Sequence, residues 1–241
     1  MTHLDGSSWL VLADLADANA VLVVPVGATE QHGPHLPVTT DTDIAVSVVA
    51  AAAALDPTIV VAPAVAYGSS GEHDGFPGTL SLGQDATEAL LVELGRSASR
   101  TFDHVVLACT HGGNAAPLAR ALALLAGEGH PVTGWWPRWG GDLHAGRTET
   151  SLMLAIAPDR VRTDRMVAGD RRSADELLPL LRVGGVRSVS ANGVLGDPAG
   201  ATADEGHRLI RAAAADLATV VAGRRRQPSP HGVAPAQEVT P

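Results

Sequence analysis

Four nearly unbroken apolar runs, at 21–26, 58–65, 104–109 and 131–136, alternate with segments of helical periodicity. A strand that is apolar on both faces must be covered on both faces. That is the condition of a parallel sheet held between two layers of helices. The helical segments fall at 42–55, 86–99, 115–125, 148–156, 174–181 and 203–221. Two of them open on Ser173-Ala-Asp-Glu176 and Thr202-Ala-Asp-Glu205, a spacing that lets side chains satisfy the free amides of a helix start. Asn114, with Pro117 in the following turn, marks a third start. With 241 residues, 45% of them hydrophobic, the chain can bury one sizeable core, so one α/β domain over 1–226 is expected. Residues 227–241 hold four prolines and no apolar periodicity, and are expected to form a disordered tail.

Composition removes several classes of function. All 17 basic residues are arginine, which excludes Schiff-base chemistry and a P-loop phosphate clamp, since both need a lysine amine. A net charge of -9 argues against nucleic-acid binding, which starts from a positive surface. Arg224-Arg-Arg226 ends a predicted helix, where cations are favourable on electrostatic grounds alone. The lone cysteine, Cys109, sits inside an apolar strand and reads as a buried core thiol in a reducing compartment. No apolar run reaches the roughly 20 residues that span a bilayer, and no leader pattern opens the chain. A cytoplasmic enzyme without membrane contact is expected.

Where strands hand over to helices, imidazoles and carboxylates recur. Glu30, His32 and Asp41 follow the first strand, His111 follows the third, and His144 and Glu149 open a later helix. Nitrogen and oxygen donors without thiolate suit zinc, manganese or ferrous iron. Glu30 and His32 are two apart, so in an extended stretch both point the same way. Asp41 lies beyond a turn stiffened by Pro34 and Pro37 and can fold back toward them. A generic acidic loop with a surface histidine is the bland alternative for this trio, and the two further ligand-rich loops weigh against it. Glu30, His32, Asp41 and His111 lie beyond carboxyl ends of strands, where open α/β sheets bind ligands.

Five ordered blocks are similar to the creatininase family of metal-dependent amidohydrolases: Glu30-Gln-His-Gly-Pro-His-Leu-Pro with Asp41, Glu72-His-Asp-Gly-Phe-Pro-Gly-Thr79, His111-Gly-Gly-Asn114, His144-Ala-Gly with Glu149-Thr-Ser, and Gly193-Val-Leu-Gly-Asp-Pro198. The resemblance implies a three-layer α/β/α fold with a mainly parallel central sheet and one or two divalent cations per chain, Zn2+, Fe2+ or Mn2+. It implies that Asp41 bridges two metals, that Glu30 and His111 bind one, and that His32 binds the other. Creatininase has a carboxylate two residues after the histidine matching His111, where this chain has Gly113. Glu149 is expected to supply it, although an acid at that place also simply favours a helix amino terminus. His144 matches the family's catalytic histidine and is expected to relay a proton, with a structural, carbonyl-capping histidine as the alternative.

Substrate contacts are expected from the glycine-rich loop carrying Ser70 and His73 and from Trp136 and Trp139 of the tryptophan cluster. A core plug or a subunit contact is an equal reading of the tryptophans. His35 is expected to brace the ligand loop. Within the family the chain is most similar to the mycofactocin-system branch, whose members cleave a small modified precursor peptide and release a Val-Tyr dipeptide. The partner is then a short modified peptide, and a homo-oligomer is expected. A small-molecule amidohydrolase acting on a cyclic amide or formamide is the second reading, and a non-catalytic metal-binding assembly protein a remote third.

Overall fold

The computed structural model describes residues 2–224, so the expected tail at 227–241 lies outside the described residues, as do Arg225 and Arg226. In chain order the elements are β1 (Thr2–His3), α1 (Trp9–Asp17), β2 (Val21–Val26), α2 (Thr40–Leu55), β3 (Ile59–Val61), α3 (Gln84–Ala98), β4 (Val105–Cys109), α4 (Ala115–Gly127), β5 (Val132–Trp135), α5 (Arg147–Ile156), α6 (Ala174–Gly184) and α7 (Ala203–Ala222). The five strands form one sheet in the order β1-β3-β2-β4-β5, and every pair is parallel.

Why these apolar runs become a covered sheet is visible in their alternation. On β4, Val106 and Ala108 join residues of α2, α5 and α7 in one core, whereas Val105, Leu107 and Cys109 join residues of α3 and α4 in the other. Successive side chains point to opposite faces, so a strand with helices on both sides has to be apolar throughout. All residues of β2, β3 and β4 are buried. The architecture is three-layer α/β/α. A third, smaller core of Leu177, Val186 and Leu195 lies under α6.

The helix starts behave as their sequences specify at two of the three sites. Ser173 and Glu176 form a reciprocal capping box, with the Glu176 carboxylate accepting from the Ser173 N–H at 3.0 Å. Thr202 accepts from the Glu205 N–H at 3.2 Å, but Glu205 itself turns to Arg147 and Ser151. Asn114 stands at the start of α4 without capping it. Its amide instead accepts from the Ser69 N–H at 2.8 Å and donates to the Gly27 carbonyl at 2.9 Å, tying two rim loops together.

The topology positions the site. The chain steps from β2 to β3 on one side and then crosses to β4 on the other, so the connection reverses direction between β2 and β4. The crevice outside the carboxyl ends of two such strands is open to ligands. The segments leaving β2 and β4 are the ones that carry Glu30, His32, Asp41 and His111.

Candidate metal centre

Each donor reaches the centre by a different local device. Glu30 and His32 sit on the segment after β2, which His32 closes upon itself through Nδ1 at 3.1 Å from the Glu30 carbonyl. Asp41 belongs to the first turn of α2, one helical step earlier than its sequence pattern indicated, and is 2% exposed. His111 follows β4. His144 is pinned by a backbone bridge to Leu195, and the next residue, Ala145, has φ 52°, a left-handed conformation that costs a non-glycine residue about 1–3 kcal/mol. The Glu149 carboxylate accepts the Ala145 N–H at 2.5 Å and so helps hold that turn.

These residues converge. His111 lies with Nε2 3.1 Å from Glu30 Oε2 and Nδ1 3.4 Å from Asp41 Oδ2. His32 Nε2 is 3.6 Å from Asp41 Oδ1 and 3.9 Å from Glu149 Oε2. Asp41 therefore stands between two donor groups, one around Glu30 and His111, the other around His32 and Glu149. The carboxylate and imidazole atoms of Glu30, His32 and Asp41 lie within 4.8 Å of one another, as do those of His32, His144 and Glu149.

Burial sets the electrostatics. It pushes the Glu30 carboxyl up to about 8, aided by the charge of Asp41 and opposed by His111 and His32. Burial opposes charge on His32 and His111 too, but there the surrounding carboxylates prevail, Asp41 first for His32 and Glu30 first for His111, holding them at about 10 and about 9. Asp41 is held below the usual range by those imidazoles although burial works against it. Glu149 is raised, by burial foremost. His73 falls to about 3 and His144 well below its ordinary value, through burial and the neighbouring imidazoles.

Among the described residues, five buried side-chain atoms have no hydrogen-bond partner, and four of them are Glu30 Oε1, Glu30 Oε2, His32 Nε2 and Asp41 Oδ2. A buried polar atom left unsatisfied costs about 1–3 kcal/mol, more if charged. Four such atoms in one cluster, all oxygen or imidazole nitrogen, fit a divalent cation of borderline character. The fifth is Nδ1 of His35, whose Nε2 meets Thr150 Oγ1 at 2.9 Å and braces the ligand loop against α5.

Gln31 fixes the protonation pattern around His144. A backbone carbonyl can only accept, so His144 Nε2, 2.7 Å from the Gln31 carbonyl, carries the proton. The two amide hydrogens of Gln31 then serve His73 Nδ1 at 2.8 Å and the Gly193 carbonyl at 3.0 Å, while its Oε1 accepts from Gly33 N at 2.8 Å. A Cβ at Gly193, where φ is 80°, would overlap that amide. The result is a neutral His144 whose Nδ1 lone pair faces Glu30 Oε1 at 3.7 Å.

The remaining expectations divide. His73 lines the cavity above the centre, with Nε2 3.1 Å from Glu30 Oε1. Ser70 is fully buried, with Oγ 3.5 Å from His111 Nε2, so it backs the centre instead of facing a substrate. Trp139 lines the cavity. Trp136 does not reach it and packs into the core on the α3 and α4 side, while Trp135 joins the opposite core and donates to Asp216 at 2.7 Å. Strand alternation sends adjacent indoles to opposite faces, which corrects the substrate role expected of Trp136. Cys109 is buried with its thiol pushed up to about 12 by burial, consistent with an inert core residue. Glu72 and Gln31 were not singled out in the sequence, and both touch the cluster. The signal for Glu72 was its place beside His73 in a ligand-rich loop.

Fold and site together define an α/β/α protein with a buried imidazole and carboxylate centre at the switch point of a parallel sheet. The chain belongs to the creatininase family: the family model described as creatinine amidohydrolase matches residues 5–221. It is 53% identical over 197 residues, 79% of each chain, to the mycofactocin precursor peptide peptidase of Mycolicibacterium smegmatis. Among the solved structures that share the fold, two are each 24% identical to this chain. One is a creatinine amidohydrolase (creatininase), with a TM-score of 0.80 over 94% of this chain and 98% of the other. The other, described as "Creatininase Mn", has a TM-score of 0.77 over 94% and 99%. The protein is accordingly a hydrolase of the amide-cleaving type that defines this family.

Proposed function

We propose that the protein is a metal-dependent peptidase that cleaves the modified mycofactocin precursor peptide near its carboxyl end, releasing a Val-Tyr dipeptide. The observation that carries this reading is the buried donor cluster on the wall of a cavity of about 940 Å³, a volume suited to a peptide segment. A creatinine-sized cyclic amide would fill a small part of it. The identity to a named peptidase points the same way.

Glu30, His111 and Asp41 would hold one cation, and His32, Asp41 and Glu149 a second. Zinc, ferrous iron or manganese suits these donors. A cation bound there supplies Lewis acidity, which polarises a carbonyl and makes water a nucleophile near neutral pH. The protein's own part is proton handling and placement. Neutral His144 offers Nδ1 to take up a proton and returns it to the departing nitrogen. His73 and Trp139 flank the space a substrate would enter, and Arg182 lines the same cavity. Its charge suits a peptide carboxylate.

The test offers purified protein, supplied with metal, the modified precursor peptide, creatinine and a formamide, with products identified by mass. Loss of a Val-Tyr mass from the peptide is expected. Turnover of creatinine or the formamide with the peptide left intact would instead identify a small-molecule amidohydrolase. No turnover of any of them by metal-loaded protein would favour an assembly role.

A further inference from the structure

Gly113 leaves a gap in the expected carboxylate set, and the structure shows what occupies it. A Cβ built on Gly113 would overlap Glu72 Oε1, the Ser69 carbonyl and His111 Nε2. The space a longer residue would use is already taken by the Glu72 carboxylate. Glu72 arrives from another part of the chain, the single helical turn Gly71–His73, and its Oε1 stands 3.8 Å from His111 Nε2. Donor atoms of Glu30, Glu72 and His111 all lie within 4.8 Å of one another, and both Glu30 oxygens are among the buried unpartnered atoms.

We infer that Glu72 replaces, from the Gly71–His73 turn, the metal-binding carboxylate that this chain lacks at Gly113. The inference rests on the metal-centre reading above and adds a ligand on the His111 side of Asp41, while Glu149 lies on the His32 side. The absence of a side chain at 113 then has a positive reason: any larger residue would press on both the Ser69 carbonyl and the Glu72 carboxylate. It also has a consequence for the cavity. Glu72 is followed directly by His73, and both line the cavity wall. A cation held by Glu72 would therefore order the Gly71–His73 part of the cavity wall, which a ligand on the His111 segment would leave untied.

The experiment uses the full chain freed of metal and titrated with Mn2+, followed by electron paramagnetic resonance, with hydrogen exchange over residues 68–75 measured before and after loading. Wild type, Glu72→Gln, Glu72→Asp and Glu149→Gln are compared. Outer partners of metal ligands already change affinity by about 10–100-fold, so loss of a ligand at Glu72→Gln is expected to weaken one site by about tenfold or more. Glu72→Asp should fall between the two. Metal should slow exchange over 68–75 in wild type and not in Glu72→Gln. The melting temperature of the metal-free variants reports whether the fold is intact, which is expected because Glu72 is part exposed. If wild type takes up no Mn2+, the metal-centre reading fails. If wild type binds and Glu72→Gln binds equally well with the same protection, the inference fails and the centre stands. Weakening confined to Glu149→Gln would assign the replacement to Glu149 and overturn it as well.

Discussion

His111 touches three carboxylates, Glu30 at 3.1 Å, Asp41 at 3.4 Å and Glu72 at 3.8 Å, and no other residue of the centre has that reach. Removing it should therefore strip the Glu30 side of the donor set of its imidazole while leaving the sheet intact. His111→Ala is expected to lower metal content and turnover together, by elemental analysis and by product formation. Full occupancy with unchanged turnover would remove His111 from the centre. At this scale the sequence was most informative where ligand types crowd behind a strand: Glu30, His32, Asp41, His111, His144 and Glu149 do meet. It was least informative where a side chain acts through space. Gln31 sits between Glu30 and His32 and by strand alternation should point away from them, yet the segment after β2 is not a strand and turns the amide toward His73 and the Gly193 carbonyl. Glu72 needed knowledge that Gly113 faces it, which no spacing along the chain contains.

Elements were legible in proportion to their burial. The runs that became β2 and β4, and the helices α2 to α5, stand within a turn of their predicted places because both faces of the sheet demand apolar residues. The run at 58–65 shortens to Ile59–Val61, and after it only Val65 bridges back to β2. Strand β1 spans two residues at a sheet edge and has no pattern to read, and α1 buries no residue fully, so burial imposes no clear stripe on its sequence. The tryptophan cluster shows the same logic at the end of β5. Trp135, the last residue of β5, and Trp136 just after it go to opposite cores, and of the cluster only Trp139 reaches the cavity. Trp139→Ala is accordingly expected to weaken peptide turnover with metal content near normal, since an aromatic contact contributes about 0.5–1.5 kcal/mol beyond its area term. Trp136→Ala should act on stability instead, with a cost toward the roughly 3–5 kcal/mol of a buried indole, scaled down because this one is partly exposed. Thermal melting and steady-state kinetics on both variants separate the roles. Equal effects of the two on KM with unaltered melting would contradict the assignment.

At the scale of the whole molecule, the centre draws together segments that the sheet alone leaves separate. Glu30 and Asp41 bracket the connection from β2 to α2, His111 follows β4, His144 and Glu149 open α5, and Glu72 comes from the turn after β3. Three of the residues gathered there are carboxylates, Glu30 and Asp41 buried and Glu149 partly buried, and burial raises Glu30 and Glu149 while the imidazoles hold Asp41 down. A cation would satisfy the orphaned oxygens of Glu30 and Asp41 and bind only the folded chain, since unfolding disperses donors that lie more than a hundred residues apart in sequence, from Glu30 to Glu149. Binding to the native state alone stabilises it by about 2.7 kcal/mol at a free metal concentration one hundred times Kd. For a chain of this size each kcal/mol moves the melting temperature by about 2–4 °C. Chelation is therefore expected to lower Tm by roughly 5–10 °C, read by calorimetry with and without added Mn2+. The shift should shrink in His111→Ala, which loses a donor, and persist in Trp139→Ala, which does not. An unchanged Tm on chelation of protein shown to contain metal would mean that the cation sits elsewhere and that the rim segments are held together by their own hydrogen bonds.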